Sequence, residues 1–255
     1  MTLWGFLASF KVTCNKCLHV RFFMPQTFGK YPNTAFDTRR CEYNFYVMSY
    51  DFAEKGGNMK LYSYIVTHDT GFSPNPYWGY CTLACCKPII RRNANIGDWM
   101  VGISTKSKGH RLIYAMEVNE ILPFEQYHKD PRFKDKIPDF KNPNKLYRFG
   151  DNIYKPLPNG EFKQLPSMHS SGALENSITK QTDLNGKNVL VSTNFWYFGS
   201  EAIALPNQFH DLIAGRGYKC RFQQELVKEF LSLLQLTPKP KSILLPPTKA
   251  FCFRL

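Results

Sequence analysis

Apolar residues recur along the chain in two rhythms. Residues 61–66 (Leu-Tyr-Ser-Tyr-Ile-Val) and 99–104 are almost continuously apolar over the length of a strand, and 111–118 repeats the pattern after a polar turn at 106–110. Short apolar runs bounded by turn residues predict well-buried β-strands, and 99–118 predicts a hairpin. Further strands are predicted at 188–193 and 202–205, with a turn at 150–154 leading into another. Near the C-terminus the rhythm changes. Phe222, Leu226, Val227, Phe230, Leu231 and Leu234 share one face at helical spacing, which predicts a helix over 222–235 that stops before Thr237-Pro238. Short helical turns are expected at 82–87 and 124–128, whereas 156–187 reads as loop. The fold class that follows is α+β: a small mixed β-sheet or partly open barrel with few helices, and a C-terminal helix packed on it.

The pattern also divides the chain. Residues 1–58 show no sustained period and end in Lys55-Gly-Gly-Asn58, so they read as an N-terminal extension, poorly ordered or an artefact of start-site choice. Residues 59–236 form the domain. Residues 237–255 carry several prolines and no acidic residue, and read as a flexible basic tail. No run of about 18 apolar residues occurs, which predicts no membrane span. The apolar start lacks a basic segment before it, so the chain is expected to be cytoplasmic. Its eight cysteines then read as reduced thiols. The formal net charge is +13, but residues 59–235 contribute only +6; the two ends supply +3 and +4. The basic balance therefore argues only modestly for a phosphate-bearing partner.

Candidate chemistry concentrates between the first two strands, in residues 67–98. Such a long connection is usually functional or disordered, and its apolar and cysteine content argues against disorder. Cys81, Cys85 and Cys86 could be a nucleophile able to attack C6 of a pyrimidine, soft metal ligands completed by His68 or His169, or simply small buried hydrophobes. No metal is assigned. His68, followed by Asp69, is the candidate general base, oriented through space by Asp98 or Asp151. Lys87, Arg91 and Arg92 form a basic patch beside Tyr77, Trp78 and Tyr80, a combination suited to a stacked base with its phosphate held nearby. Asn75, Trp99, Arg132, Asp151 and Asn152 complete the candidate nucleotide- and phosphate-binding set, with Arg132 in a cation-rich stretch at 129–148. No Walker loop, GxGxxG, GxSxG or HExxH is present, so the common nucleotide-cofactor and hydrolase classes lose weight, and no cofactor is named.

These motifs resemble a known family. His68-Asp-Thr-Gly-Phe-Ser-Pro-Asn-Pro76, Cys81-Thr-Leu-Ala-Cys-Cys-Lys-Pro88, Arg91-Arg92, Gly97-Asp-Trp99, Asp130-Pro-Arg-Phe133 and Gly150-Asp-Asn-Ile153 are similar to the second nucleotide-modification-associated domain family of bacteria and their phages. The resemblance spans about residues 59–236 and implies a component of a DNA base-modification system. That component would act on, or bind, a base in a pocket built by loop 67–98. The implied partners are nucleic acid or nucleotide, and other base-modification proteins. A weaker likeness, carried by Gly97-Asp-Trp99 opening a hairpin that ends in Ala-Met-Glu-Val118, is to the PUA-like barrels, including the ASCH, EVE and YTH groups. It implies the alternative of a non-catalytic module that reads a modified base through its aromatic residues.

Overall fold

Alternation along the first apolar run decides the layering. β1 (Leu61–Val66) sends Leu61 and Ile65 to one side of the sheet and Tyr62, Tyr64 and Val66 to the other, as the two-residue period of a strand requires. The computed structural model describes residues 59–240. The expected extension at 1–58, with its cysteines, and the end of the basic tail, 241–255, lie outside the described residues.

β1 pairs in parallel with β3 (Trp99–Ser104), from Leu61 opposite Trp99 to Val66 opposite Ser104. Parallel neighbours need a crossover of a dozen or more residues, and this is the physical reason for the long connection at 67–98. The predicted hairpin forms between β3 and β4 (Leu112–Glu117), closed by a 3-10 turn at Lys106–Lys108 and Gly109, whose φ of 80° suits glycine. β9 (Phe195–Tyr197) and the short β10 (Tyr218–Lys219) complete a five-stranded sheet of order β10-β1-β3-β4-β9. β9 and β10 remain its two edges, so the sheet does not close into a barrel.

A second sheet of three strands, β2 (Cys81–Leu83), β8 (Asn188–Ser192) and β5 (Glu120–Pro123), has the order β2-β8-β5. It packs through Cys81, Leu83 and Leu190 on the Tyr62, Tyr64, Met100 and Met116 face of the first. Its opposite face, with Val189 and Val191, meets Phe124, Tyr127, Phe133, Ile153 and Tyr154. These come from α2 (Phe124–Lys129), a 3-10 segment at Pro131–Lys136, and a two-stranded ribbon of β6 (Tyr154–Pro156) with β7 (Phe162–Gln164). The C-terminal helix spans Gln224–Leu236 and buries Val227, Phe230, Leu231 and Leu234 on the outer face of the five-stranded sheet, with Trp99, Val101 and Trp196. The result is a mixed α+β protein of small sheets and few helices, as the pattern of the sequence predicts.

Three local differences have simple causes. The helical turn expected at 82–87 is instead α1 (Pro88–Asn93), because Pro88 lacks an N–H and suits a first helical position, while Thr82 and Leu83 pair with Val191 and Leu190. Residues 202–205 make one bridge, Ile203 to Leu112, rather than a strand. The stretch read as loop contains α3 (Ser177–Leu184), capped by the Asn176 side chain on Thr179 N–H. Its only buried residue is Asp183, and Ile178 is exposed, so it has no apolar stripe to betray it. The C-terminal helix is α4 in this numbering.

Candidate functional site

The crossover places a thiol at a strained corner. β2 ends at Leu83, and the chain turns through Ala84, Cys85 and Cys86 before α1. Cys86 (φ 59°) and Lys87 (φ 43°) both adopt the left-handed region, which costs a non-glycine residue on the order of 1–3 kcal/mol and persists only where its surroundings enforce it. Here they do. The Cys86 N–H donates to Asp183 Oδ1 at 2.7 Å, and its carbonyl accepts from Arg91 Nε at 2.7 Å. The remaining Arg91 nitrogens donate to the carbonyls of Asn188 and Asp183. Gly186 leaves the room this needs, since a Cβ there would lie 2.4 Å from the guanidinium carbon.

Asp183 reaches the same corner from the last turn of α3. Its Oδ2 accepts from the Tyr154 hydroxyl at 2.8 Å and lies 2.6 Å from His169 Nδ1. The other ring nitrogen, Nε2, is 3.5 Å from Cys86 Sγ. The His169 backbone carbonyl is held by Thr179 Oγ1 and Gln164 Nε2, and Phe72 packs on the ring with centroids 4.9 Å apart. Asp183, His169 and Cys86 thus form a carboxylate–imidazole–thiol chain in which the carboxylate is buried and the sulfur is half-buried. Burial opposes a charge on His169, but the hydrogen bonds to Asp183 and Cys86 outweigh it and push the ring up to about 10. Burial likewise opposes ionisation of Asp183, and its bond to His169 wins, holding the carboxyl below its usual range. A thiol whose proton can pass to an imidazole fixed by a carboxylate is an activated nucleophile.

Cys85 points the other way. Its buried Sγ donates to the Asp151 carbonyl at 3.7 Å, and burial pushes the thiol far up. Cys85, His169 and Asp183 each offer a ligand atom within 4.8 Å of the others, but a soft cation would need the Cys85 thiolate, which burial opposes.

Of the other expected residues, some belong to a separate, closed network. Asp151 accepts from Thr82 Oγ1 and Tyr127 OH, each at 2.6 Å. Lys136, which is fully buried, donates to Asn75 Oδ1 and to the carbonyls of Asn75 and Tyr80. The Asn152 amide donates to the carbonyls of Phe133 and Tyr127. Asp98 closes the 95–98 turn, accepting from the backbone N–H groups of Lys60 and Asn95. Trp99 is core against Trp196, and Cys81 is core within β2. Arg132 pairs with Glu120 and Asp130 on the surface. His68 and Arg92 are exposed. Lys87 lies over the Tyr64 ring at 4.4 Å. Asp69 accepts from Tyr197 OH at 2.8 Å, and Tyr77 is buried beneath the same loop.

The structure therefore brings Cys85, Cys86 and Arg91 together with His169 and Asp183, and leaves His68 and Asp98 apart from them. Sequence reasoning reached His169 only as a metal ligand and did not reach Asp183. A cavity of about 580 Å³ between β1 and the start of α4, lined by Lys60, Lys219, Cys220 and Arg221 among others, contains none of the expected site residues. Among the described residues no helix is long and apolar enough to cross a membrane.

No curated protein and no solved structure matches the chain, so the likeness to PUA-like barrels rests on its short motif alone. A protein-family model, nucleotide modification associated domain 2, matches residues 58–253. With more than half of its length matched, the chain belongs to the nucleotide modification associated domain 2 family.

Proposed function

We propose that the protein is a thiol-dependent enzyme of nucleotide modification, with Cys86 as nucleophile, His169 as its base and Asp183 as the residue that orients the ring. The observation that carries this reading is the chain of contacts from Asp183 through His169 to Cys86 Sγ, at 2.6 and 3.5 Å. It ends on a half-buried sulfur held in a left-handed backbone conformation. Membership in a nucleotide-modification family supports the substrate class.

The step proposed is addition to a pyrimidine. The thiol proton passes to His169 Nε2 and Sγ bonds to C6. The C5–C6 π pair moves toward C5 and O4, making C5 a nucleophile. Protonation at C5, removal of the other C5 hydrogen and loss of Sγ restore the ring. Arg91 is a positioning residue: it touches no reacting atom but fixes the Cys86 carbonyl. A non-catalytic reader of modified bases finds less support, because such a module has no use for this chain of groups and because Trp99 and Trp196 are core.

The test is hydrogen exchange at C5. The full chain is incubated with deoxyuridine or deoxycytidine monophosphate in deuterated water, and deuterium at C5 is read by mass spectrometry. Exchange that disappears in Cys86→Ser and falls by about 10²-fold or more in His169→Ala is expected. Exchange that survives Cys86→Ser would overturn the assignment.

A further inference from the structure

Beneath the loop that follows β1, two polar oxygens are buried without a hydrogen bond: Asp69 Oδ2 and the Tyr77 hydroxyl. Each such group costs about 1–3 kcal/mol, which native structures seldom tolerate without a reason. The two belong together. The Asp69 charge adds to burial in pushing up the Tyr77 hydroxyl, and both act on Tyr197, whose hydroxyl holds the other Asp69 oxygen at 2.8 Å. Gly71 presses on the Tyr77 hydroxyl: a Cβ there would lie 2.3 Å from the oxygen, and its φ of +68° suits glycine.

The pair also adjoins the thiol. Phe72, next after Gly71, packs on the His169 ring. Tyr64 feels the charges of both Cys86 and Asp69, and carries the Lys87 ammonium over its ring. An acceptor and a hydroxyl donor left unmatched beside a nucleophilic sulfur are complementary to a neighbouring N–H and C=O.

We propose that Asp69 Oδ2 and the Tyr77 hydroxyl hold the Watson–Crick edge of an unpaired, imide-bearing pyrimidine, Oδ2 accepting from N3–H and the hydroxyl donating to O4. The base enters beneath residues 67–70, of which Thr67 and His68 are exposed. The inference rests on the Cys86 reading for the choice of a pyrimidine. It adds that the edge used in base pairing must be free, so the substrate is a free nucleotide or an unpaired nucleotide in a strand, and a paired base is excluded.

Calorimetric titration of the full chain tests it, in wild type and Cys86→Ser. The probes are deoxyuridine monophosphate, its N3-methyl derivative, and deoxyuridine in a single strand and in a matched duplex. Expected are binding of deoxyuridine monophosphate to both proteins and weakening by about tenfold or more on N3 methylation. Tyr77→Phe should also weaken binding by about tenfold. That variant removes an unpaired hydroxyl, so its urea midpoint should not fall. The single strand binding more tightly than the mononucleotide would identify the strand as the source, and the reverse would identify the free nucleotide. Equal affinity for the N3-methyl derivative, unchanged affinity in Tyr77→Phe, tight binding of the duplex, or no binding of any probe would each overturn the proposal. Edge-dependent binding without C5 exchange would sink the thiol chemistry and leave the edge recognition standing.

Discussion

Two buried polar constellations flank the second sheet, and they use the same chemistry to opposite ends. In one, Asp151, Thr82, Tyr127, Lys136 and Asn75 bind one another and nearby carbonyls at 2.5–3.4 Å. Burial pushes Asp151 up and Lys136 down to about 8, so desolvation outweighs their mutual attraction at both partners. Nothing in that network faces outward. In the other, Asp183 and Arg91 are equally buried, yet their bonds converge on one residue, Cys86, whose backbone is strained and whose sulfur is half-buried. There the attraction wins, and His169 is pushed up rather than down. A closed network stabilises a fold; a network that spends its hydrogen bonds on holding one reactive group in a costly conformation prepares chemistry.

The comparison breaks most readily at the two carboxylate networks. Asp151→Ala removes the acceptor of two hydroxyls and the nearest countercharge to a buried ammonium, so it should cost about 3–5 kcal/mol in urea unfolding. Cys86→Ser should shift the same midpoint by no more than about 0.5 kcal/mol while abolishing C5 exchange. Equal destabilisation by the two would erase the distinction.

Gly186→Ala tests the link between Arg91 and the sulfur. The added methyl would meet a guanidinium that is fully buried and held by three carbonyls. Overpacking of this kind costs about 1–3 kcal/mol. The informative readout is alkylation of Cys86 by iodoacetamide, which should slow several-fold as the corner relaxes. Loss of stability with unchanged alkylation would make Arg91 a purely structural residue.

How much of this could be read in the sequence follows from how each part is stabilised. β1, β3, β4 and the C-terminal helix were legible because they bury apolar side chains at fixed periods. The crossover was legible as a chemically dense loop, and its Cys85-Cys86-Lys87-Pro88 corner fell within the expected set. His169 and Asp183 were not legible as partners of Cys86. They lie in a polar stretch with no apolar period, 83 and 97 residues away in the chain. Only the pairing of β2 with β8 brings them in. The local mark that could have found α3 was Asn176 as a cap. Asp151, Asn75 and Asn152 drew attention as polar residues in motifs, and a sequence does not distinguish a polar side chain that closes a network from one that faces a ligand.

The smallest effect concerns the two arginines read from sequence as phosphate contacts. Arg91 gives all its donors to carbonyls inside the protein. Arg132 is exposed in its pairing instead: its guanidinium binds Glu120 through both terminal nitrogens at 2.9 Å, adds Asp130, and lies over Phe133 at 4.9 Å. A surface cluster of this kind contributes about 0–1 kcal/mol even with good geometry. Arg132→Ala should therefore lower the urea midpoint by less than about 1 kcal/mol and leave Cys86 alkylation unchanged, because no contact ties it to the sulfur. Its donors are already taken by two carboxylates, so affinity for a nucleotide should change by less than about twofold, with little change in salt dependence. A nucleotide affinity that falls with Arg132→Ala, and falls less at high salt, would instead place a phosphate on this face, extending the site across α2 and away from the thiol.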